Sequence, residues 1–124
     1  MRRILLVEDN DSSREMLTRR LAKHGFEVLT AINGQEALDI VRREAPDVVL
    51  LDMMLPIMDG WTAVREMRSD ASIRHIPVIA LTAHAALEDR KRSIEAGCDD
   101  HETKPVDMPR LLSTIERWLE PRAE

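Results

Sequence analysis

The stretch VVLLD, residues 48–52, is a run of four apolar residues that ends in a carboxylate. Two other runs have the same form: ILLV at residues 4–7 precedes Glu8-Asp9, and VIAL at residues 78–81 precedes Thr82. Short runs rich in Val, Ile and Leu are typical of strands that are buried on both faces of a parallel sheet. Residues 48–52 are therefore predicted to form a central strand with Asp52 at its carboxyl end.

Amphipathic stretches alternate with the apolar runs along the whole chain. This alternation predicts an α/β fold, in which right-handed crossover helices cover both faces of a parallel sheet. Five strands in a doubly wound sheet usually take the order 2-1-3-4-5, which puts strands 1 and 3 side by side in the middle. We therefore predict a flavodoxin-like, five-stranded sheet with five helices, formed by residues 1–124 as a single domain.

Capping residues predict where the helices begin. Ser12 and Glu15 have the spacing of a capping box, so we expect the first helix to begin at Ser12 and to bury Met16. Asn33 is expected to cap the second helix. Residues 26–30 are less apolar than the other predicted strands, and we expect them at an edge of the sheet. The other expected helix boundaries are Gly25, Pro46, Gly97 and Asp107.

The composition argues against several classes of protein. A net charge of -5 over 124 residues leaves no basic stripe for nucleic acid. No apolar stretch approaches the length of a membrane span, and the first residues have the pattern of a strand rather than of a signal peptide. The single Cys98 fits a reducing compartment. We expect a cytoplasmic protein with no direct nucleic-acid or membrane partner.

Polar groups at four strand ends are expected to meet, because ligands bind outside the carboxyl ends of the strands in open α/β folds. These groups are the carboxylates of Glu8, Asp9 and Asp52, the Thr82 hydroxyl and the Lys104 ammonium. Clustered carboxylates repel each other, and Mg²⁺, which takes oxygen ligands, would relieve the repulsion. Asp52 is then a candidate nucleophile toward phosphorus, with Lys104 neutralising charge. Each residue alone is typical of a cap or a turn, but their joint occurrence favours the functional interpretation.

With these residues the chain resembles the receiver domain of bacterial two-component response regulators, over essentially its whole length. The resemblance is carried by Glu8-Asp9, Asp52 with Pro56 four residues later, Met58-Asp59-Gly60, Thr82-Ala83, Gly97 and Lys104-Pro105. It implies that Asp52 accepts a phosphoryl group from a histidine kinase or a histidine phosphotransfer protein. It implies no enzyme activity beyond this autocatalytic transfer and the loss of the phosphoryl group.

The resemblance also assigns roles to individual residues. It implies a Mg²⁺ site made by Glu8 (through water), Asp9, Asp52 and the backbone carbonyl of Met54. It implies phosphoryl contacts from Lys104, from the Thr82 hydroxyl, which would move toward the phosphoryl group, and from the backbone N–H groups of Met53 and Ala83. The Lys104–Pro105 peptide bond is expected to be cis.

The chain departs from the family pattern at two positions that precede Lys104. Receivers usually carry Tyr or Phe three residues before the lysine, where this chain has His101. His101 is either a tolerated strand residue or a switch residue whose charge state biases activation near neutral pH. Glu102 stands where the family often has an apolar residue, and we expect it to reach water from an edge strand.

Two further residues resemble the positions that tune dephosphorylation in receivers. Met54 lies two residues after Asp52, and His84 lies two residues after Thr82. Met54 cannot orient a water molecule by hydrogen bonding, so we predict slower hydrolysis than with Asn at this position. A neutral His84 could supply the missing acceptor instead, and this alternative stays open.

The predicted function is a phosphorylation switch that signals through the face formed by helix 4, strand 5 and helix 5, or that passes its phosphoryl group on. We expect a monomer or a weak, phosphorylation-dependent dimer. The alternatives are a docking module that works without phosphorylation and, less favoured, a phosphatase with an Asp nucleophile. Haloacid-dehalogenase-type phosphatases carry a second Asp two residues after the first, where this chain has Met54.

Overall fold

The computed structural model describes residues 2–83 and 87–119, in which five strands alternate with five helices. The strands are β1 (Arg3–Val7), β2 (Glu27–Ala31), β3 (Val48–Asp52), β4 (Val78–Thr82) and β5 (Asp100–Thr103). The helices are α1 (Asp11–Lys23), α2 (Gly34–Glu44), α3 (Gly60–Ser69), α4 (Leu87–Ala96) and α5 (Met108–Leu119).

The five strands form one parallel sheet in the order β2-β1-β3-β4-β5, as predicted. The register pairs Val7 with Leu51 and Asp52 with Leu81. Because every strand runs in the same direction, all the carboxyl ends lie at one edge of the sheet. The polar residues that end β3 and β4, and those that follow β1 and β5, therefore share that edge.

Successive side chains of each strand point to opposite faces of the sheet, and each face carries an apolar layer. Leu5 and Leu51 face the layer that includes α2 and α3. Leu6 and Leu50 face the layer that includes α1 and α5. All five residues of β3 are buried, as expected for a central strand covered on both faces.

The start of α1 differs from the prediction. Asn10, not Ser12, is the N-cap, because its side chain accepts a hydrogen bond from the backbone N–H of Ser13. Asn caps a helix as well as Ser does, and here it follows directly on the end of β1. The predicted capping box is therefore wrong. Met16 is not buried either, since its side chain is 44% exposed while Leu17 and Leu21 make the apolar face of α1.

The other predicted boundaries agree with the structure to within a residue or two. Asn33 caps α2 and accepts a hydrogen bond from the backbone N–H of Glu36. Asp107 accepts one from the N–H of Arg110 at the start of α5. β2 is an edge strand as predicted, but it is displaced by one residue to Glu27–Ala31.

None of the helices in the described ranges is long and apolar enough to cross a membrane.

Candidate functional site

Three carboxylates converge at the carboxyl edge of the sheet. Glu8 and Asp9 follow β1, and Asp52 ends the neighbouring β3. One oxygen from each residue lies within 4.8 Å of the other two. Glu8 is 1% exposed and Asp52 is 7% exposed, whereas Asp9 is open to solvent. Two negative charges are therefore held away from bulk water, next to a third that faces it.

Both oxygens of the Asp52 carboxylate have a partner. Oδ1 accepts a hydrogen bond from the backbone N–H of Met54 at 3.0 Å, and Oδ2 accepts one from Lys104 Nζ at 3.0 Å. The loop that follows β3 also folds back on itself, because the N–H of Gly60 donates to the carbonyl of Met53 at 3.1 Å. A Cβ at position 60 would lie 2.7 Å from Met53 Cα, so this closure requires glycine. The loop thereby fixes the orientation of Asp52.

Lys104 enters the cluster from the end of β5. Its Nζ donates to Glu8 Oε1 at 2.7 Å as well as to Asp52. The backbone N–H of Lys104 donates to the carbonyl of Thr82 at 2.7 Å, and the Lys104–Pro105 bond is cis, as predicted. Burial acts to lower the pKa of the Lys104 ammonium, but the hydrogen bonds to Glu8 and Asp52 outweigh it and raise the pKa above its ordinary value. Lys104 is therefore a cation at neutral pH.

The pKa of Glu8 is raised, chiefly by burial. The hydrogen bonds from Lys104 and from the backbone N–H of Asn10 oppose this shift, while the charge of Asp52 adds to it. The Lys104 ammonium supplies one positive charge against three carboxylates, so the cluster keeps a net negative charge. The closely spaced, hard oxygen donors fit Mg²⁺, which would stabilise the charged form of all three carboxylates.

The remaining predicted site residues lie on the loops beside this cluster. Thr82 ends β4 and is 4% exposed, and Ala83 follows it at the surface. Met53 is fully buried, and its N–H donates to the carbonyl of Leu81 at 3.3 Å. The Met54 N–H, not the Met53 N–H, is therefore the loop donor that faces Asp52. His84 lies outside the residues that the structure describes.

The expectation for Glu102 is wrong. The residue is 7% exposed, because α5 covers this side of β5. Its Oε1 accepts a hydrogen bond from Arg110 Nε at 3.0 Å, and its Oε2 accepts one from Thr114 Oγ1 at 2.9 Å. A buried carboxylate is tolerated when it is hydrogen-bonded and paired with a cation. His101, the adjacent residue, is also buried, at 7% exposure.

Arg14 contacts the site, although the sequence pattern does not reveal it. Its Nη1 donates to the backbone carbonyl of Glu8 at 3.0 Å, and its Nη2 pairs with Asp11. An arginine in the first turns of a helix is usually solvated, so the residue type carries no signal by itself. In the sequence, only its position six residues after Glu8 suggests that Arg14 lies near the site. Arg14 ties α1 to the strand end that holds Glu8.

The arrangement has the groups that phosphoryl transfer to a carboxylate requires. Such transfer depends mainly on positioning and on neutralisation of charge. Asp52 is held by two hydrogen bonds, Lys104 supplies a fixed cation beside it, and three carboxylates can hold a divalent metal. The Thr82 hydroxyl belongs to the neighbouring strand end.

Known proteins resemble this chain over nearly its whole length. The profile of the response regulator receiver domain matches residues 4–116. The polar-differentiation response regulator DivK of Brucella anthropi is 36% identical over 116 residues, which make up 94% of each chain. DivK of Brucella ovis is 35% identical with the same coverage.

Solved structures agree with the sequence matches. The receiver domain of sensor histidine kinase PA1611 from Pseudomonas aeruginosa, which has a magnesium ion coordinated in its active-site cleft, gives a TM-score of 0.89 at 36% identity. The match covers 95% of this chain and 97% of that one. Chemotaxis protein CheY4 of Vibrio cholerae gives a TM-score of 0.89 at 31% identity, covering 96% of this chain and 99% of that one.

Proposed function

Since this chain belongs to the response regulator receiver family, we propose that it is a phosphoacceptor switch in which Asp52 takes a phosphoryl group from a phosphohistidine donor. Receiver domains of this family are signalling modules that work with histidine kinases and downstream targets. The proposed donor is a histidine kinase or a histidine phosphotransfer protein. The observation that carries the proposal is the 3.0 Å contact between Lys104 and Asp52 inside a cluster of three carboxylates.

In the proposed reaction an oxygen of Asp52 attacks phosphorus. The P–N bond of phosphohistidine breaks as the P–O bond forms, and the departing imidazole takes up a proton from solvent. Lys104 binds a phosphoryl oxygen, because its ammonium already lies against the acceptor carboxylate. The Thr82 hydroxyl and the N–H groups of Met54 and Ala83 donate to the other phosphoryl oxygens. The chain thereby provides the transfer chemistry itself, and the phosphoryl group ends on its own Asp52.

Glu8, Asp9 and Asp52 are the proposed protein ligands of Mg²⁺, together with the backbone carbonyl of Met54. When bound, Mg²⁺ neutralises the negative charge of the carboxylates and of the phosphoryl oxygens. Support comes from the oxygen-only donor set and its close spacing. The magnesium ion in the cleft of the PA1611 receiver domain is further support.

We propose the face made by α4, β5 and α5 as the output surface of this cytoplasmic switch, in a monomer or a weak dimer. The Thr82 hydroxyl moves toward the phosphoryl group, and Thr82 pairs with Thr103 of β5 in the sheet. His101, two residues earlier on β5, then follows the change. Phosphorylation shifts this equilibrium only as far as it favours one arrangement of the face over the other.

The test is the intact mass of the protein after incubation with acetyl phosphate and Mg²⁺. We expect one added phosphoryl group in the wild type, none in Asp52→Asn, and none when the metal is chelated. Asp39→Asn is the matched control, since Asp39 is an exposed carboxylate on α2, and it should be phosphorylated like the wild type.

Other outcomes separate the alternatives. If neither wild type nor control gains mass and no phosphate is released, the domain is a docking module that works without phosphorylation. Continuous release of phosphate from a phosphate monoester, on which the proposed switch does not act, indicates a phosphatase. An adduct that persists in Asp52→Asn places the acceptor elsewhere and contradicts the assignment of Asp52.

A further inference from the structure

The side chain of Arg14 lies against the turn between β1 and α1. Its Nη1 donates to the backbone carbonyl of Glu8 at 3.0 Å, and its Nη2 pairs with Asp11. The side chain is 21% exposed, whereas that of Arg19, on the same helix, is 66% exposed. A guanidinium carries its donors in one rigid plane, so contacts from two of its nitrogens fix its orientation. Arg14 is therefore an ordered part of this turn and not a solvated side chain of the helix surface.

The turn carries two of the three clustered carboxylates, and it holds them unequally. Both carboxylate oxygens of Glu8 accept a hydrogen bond, Oε1 from Lys104 Nζ at 2.7 Å and Oε2 from the N–H of Asn10 at 3.2 Å. The Asp9 side chain is exposed, and no group in the described part of the chain donates a hydrogen bond to its carboxylate. An Asp9 oxygen nevertheless lies within 4.8 Å of oxygens of Glu8 and Asp52. The backbone of the turn therefore determines where the Asp9 carboxylate lies.

Arg14 acts on this backbone at the peptide group between Glu8 and Asp9. The carbonyl of Glu8 and the N–H of Asp9 belong to the same planar unit, so a hydrogen bond to the carbonyl fixes the direction in which the chain enters Asp9. On the other side of Glu8, the N–H of this residue donates to the carbonyl of Ala31 at 3.0 Å. The backbone is thus held before and after Glu8, and the Arg14 contact is the one next to Asp9.

We propose that Arg14 is a positioning residue for Mg²⁺, because it holds Asp9 at the place where its carboxylate binds the ion. This inference rests on the proposed Mg²⁺ site of the phosphoacceptor function. The contact of Arg14 is to a backbone oxygen, so the guanidinium does not compete with the ion for the carboxylate oxygens. Ligands that are already in place lose less conformational entropy when they bind. Groups that orient metal ligands change metal affinity by about 10- to 100-fold.

The charge of Arg14 and its position predict opposite results when the residue is removed. The guanidinium is a permanent cation, and it repels a dication that binds nearby. Its charge therefore predicts that Mg²⁺ binds more tightly once the arginine is lost. The positioning role predicts weaker binding, because the Asp9 carboxylate would no longer be held in place. The sign of the change in Mg²⁺ affinity distinguishes the two effects.

The test is the binding of Mg²⁺ to the wild type, Arg14→Met and Arg14→Lys, measured by isothermal titration calorimetry at constant ionic strength without a phosphodonor. We expect the dissociation constant of Arg14→Met to rise about tenfold. Arg14→Lys keeps the charge but has one donor group in place of the planar fork, so its affinity should lie between those of the other two proteins. A cooperative urea transition shows that each variant is folded.

A second measurement separates the positioning of the metal from a general effect on the fold. The rate of phosphorylation by acetyl phosphate is measured against the concentration of Mg²⁺. In Arg14→Met we expect the half-saturating concentration of Mg²⁺ to rise about tenfold, while the rate at saturating Mg²⁺ stays at the wild-type value. A disturbance of the fold at Asp52 would instead lower the rate at saturating Mg²⁺, and this result would contradict the proposal.

Arg19→Met is the matched control, because it removes an exposed arginine that pairs with Glu15 on the same helix. It should bind Mg²⁺ at least as tightly as the wild type. Unchanged or tighter binding in both Arg14 variants, or an equal weakening in the control, overturns the positioning role and leaves the Mg²⁺ site intact. Absence of Mg²⁺ binding in the wild type overturns both. Mg²⁺ binding without phosphorylation contradicts the phosphoacceptor function, and the affinities still decide the role of Arg14.

Discussion

We predict that the residue two positions after Asp52 controls how a water molecule approaches a phosphorylated Asp52. Here it is Met54, whose thioether sulfur is only a weak hydrogen-bond acceptor and whose side chain is 59% exposed. We expect Met54→Asn to shorten the lifetime of the aspartyl phosphate roughly fivefold, because one added hydrogen bond to the attacking water contributes about 1 kcal/mol.

The lifetime is measured as the decay of the phosphorylated mass after acetyl phosphate is removed. Met16→Asn is the matched control, since Met16 is an exposed methionine on α1 and should leave the decay unchanged. Equal lifetimes in Met54→Asn and the wild type would show that the side chain at position 54 does not limit access of water.

Arg68 of α3 joins four segments at the amino edge of the sheet. Its guanidinium donates to the carbonyls of Gly97, Arg74 and Ile76 at 2.8–2.9 Å and to Asp99 at 2.7 Å. Gly97 has φ +118°, and a Cβ there would lie 2.7 Å from Arg68 Cγ, so the end of α4 fits closely around this arginine. The arginine thus connects α3 to the end of α4 and to the starts of β4 and β5.

We expect Arg68→Met to lower the free energy of unfolding by about 3 kcal/mol, because it leaves hydrogen-bonded carbonyls and a carboxylate without their partner. Urea denaturation measures the change. Arg65→Met, at an exposed position on the same helix, should cost less than about 0.5 kcal/mol. Equal losses in the two variants would mean that the four contacts contribute no net stability.

Strand β5 and helix α5 are joined by two sets of ionic contacts. Glu102 binds Arg110 and Thr114, while Asp100 Oδ2 accepts hydrogen bonds from Arg117 Nη2 at 2.6 Å and from Trp118 Nε1 at 2.9 Å. The two acids are two residues apart on the strand, and their side chains therefore point to the same face of the sheet.

Helix α4 packs on the rest of the domain through contacts of a different kind. Among its described side chains only Ser93 and Ala96 are buried, and both are small. The guanidinium of Arg92 lies 3.7 Å from the centroid of the Trp61 ring, a cation–π contact worth about 0.5–1 kcal/mol at an exposed site. This described part of α4 therefore buries less apolar surface than the inner faces of α2 and α3.

The stability of the whole domain is expected to fall above pH 9 because of Cys98. Burial raises the pKa of this thiol to about 12, from an ordinary value of 9.0. The folded state therefore keeps a proton that the unfolded chain loses, and unfolding becomes easier as the pH rises from 9 toward 12. Between pH 8 and pH 10 this single group lowers the free energy of unfolding by about 1.4 kcal/mol.

Urea denaturation of the wild type and Cys98→Ala at both pH values isolates this effect. The variant has a different stability at pH 8, but it should lose about 1.4 kcal/mol less than the wild type between the two conditions. Parallel losses would show that Cys98 ionises as easily in the folded domain as in the unfolded chain.

The sheet and its acidic cluster could be predicted because their signals are local. Each central strand is a short apolar run with its polar residue at the end, and strand order follows from the doubly wound rule. The positions of Asp9, Asp52 and Lys104 at one edge then require no knowledge of packing. Asn33 and Gly97 mark helix ends for equally local reasons.

The structure differs from the prediction mainly where contacts between residues distant in the sequence determine a side chain's position. Glu102 is buried because Arg110 and Thr114, eight and twelve residues later, reach back to it from α5. The start of α1 was ambiguous because Asn10, Asp11 and Ser12 are all capable caps. The positive φ of Ile57 could not be predicted from the sequence, because isoleucine rarely adopts this backbone conformation.

The two helices of the proposed output surface are attached to the sheet unequally. Ionic contacts join α5 to β5, whereas the described part of α4 buries only small side chains and stacks one guanidinium on Trp61. We therefore expect phosphorylation to displace α4 more than α5. A partner that spans both helices would then respond to the change in their spacing, in addition to the proposed change at His101.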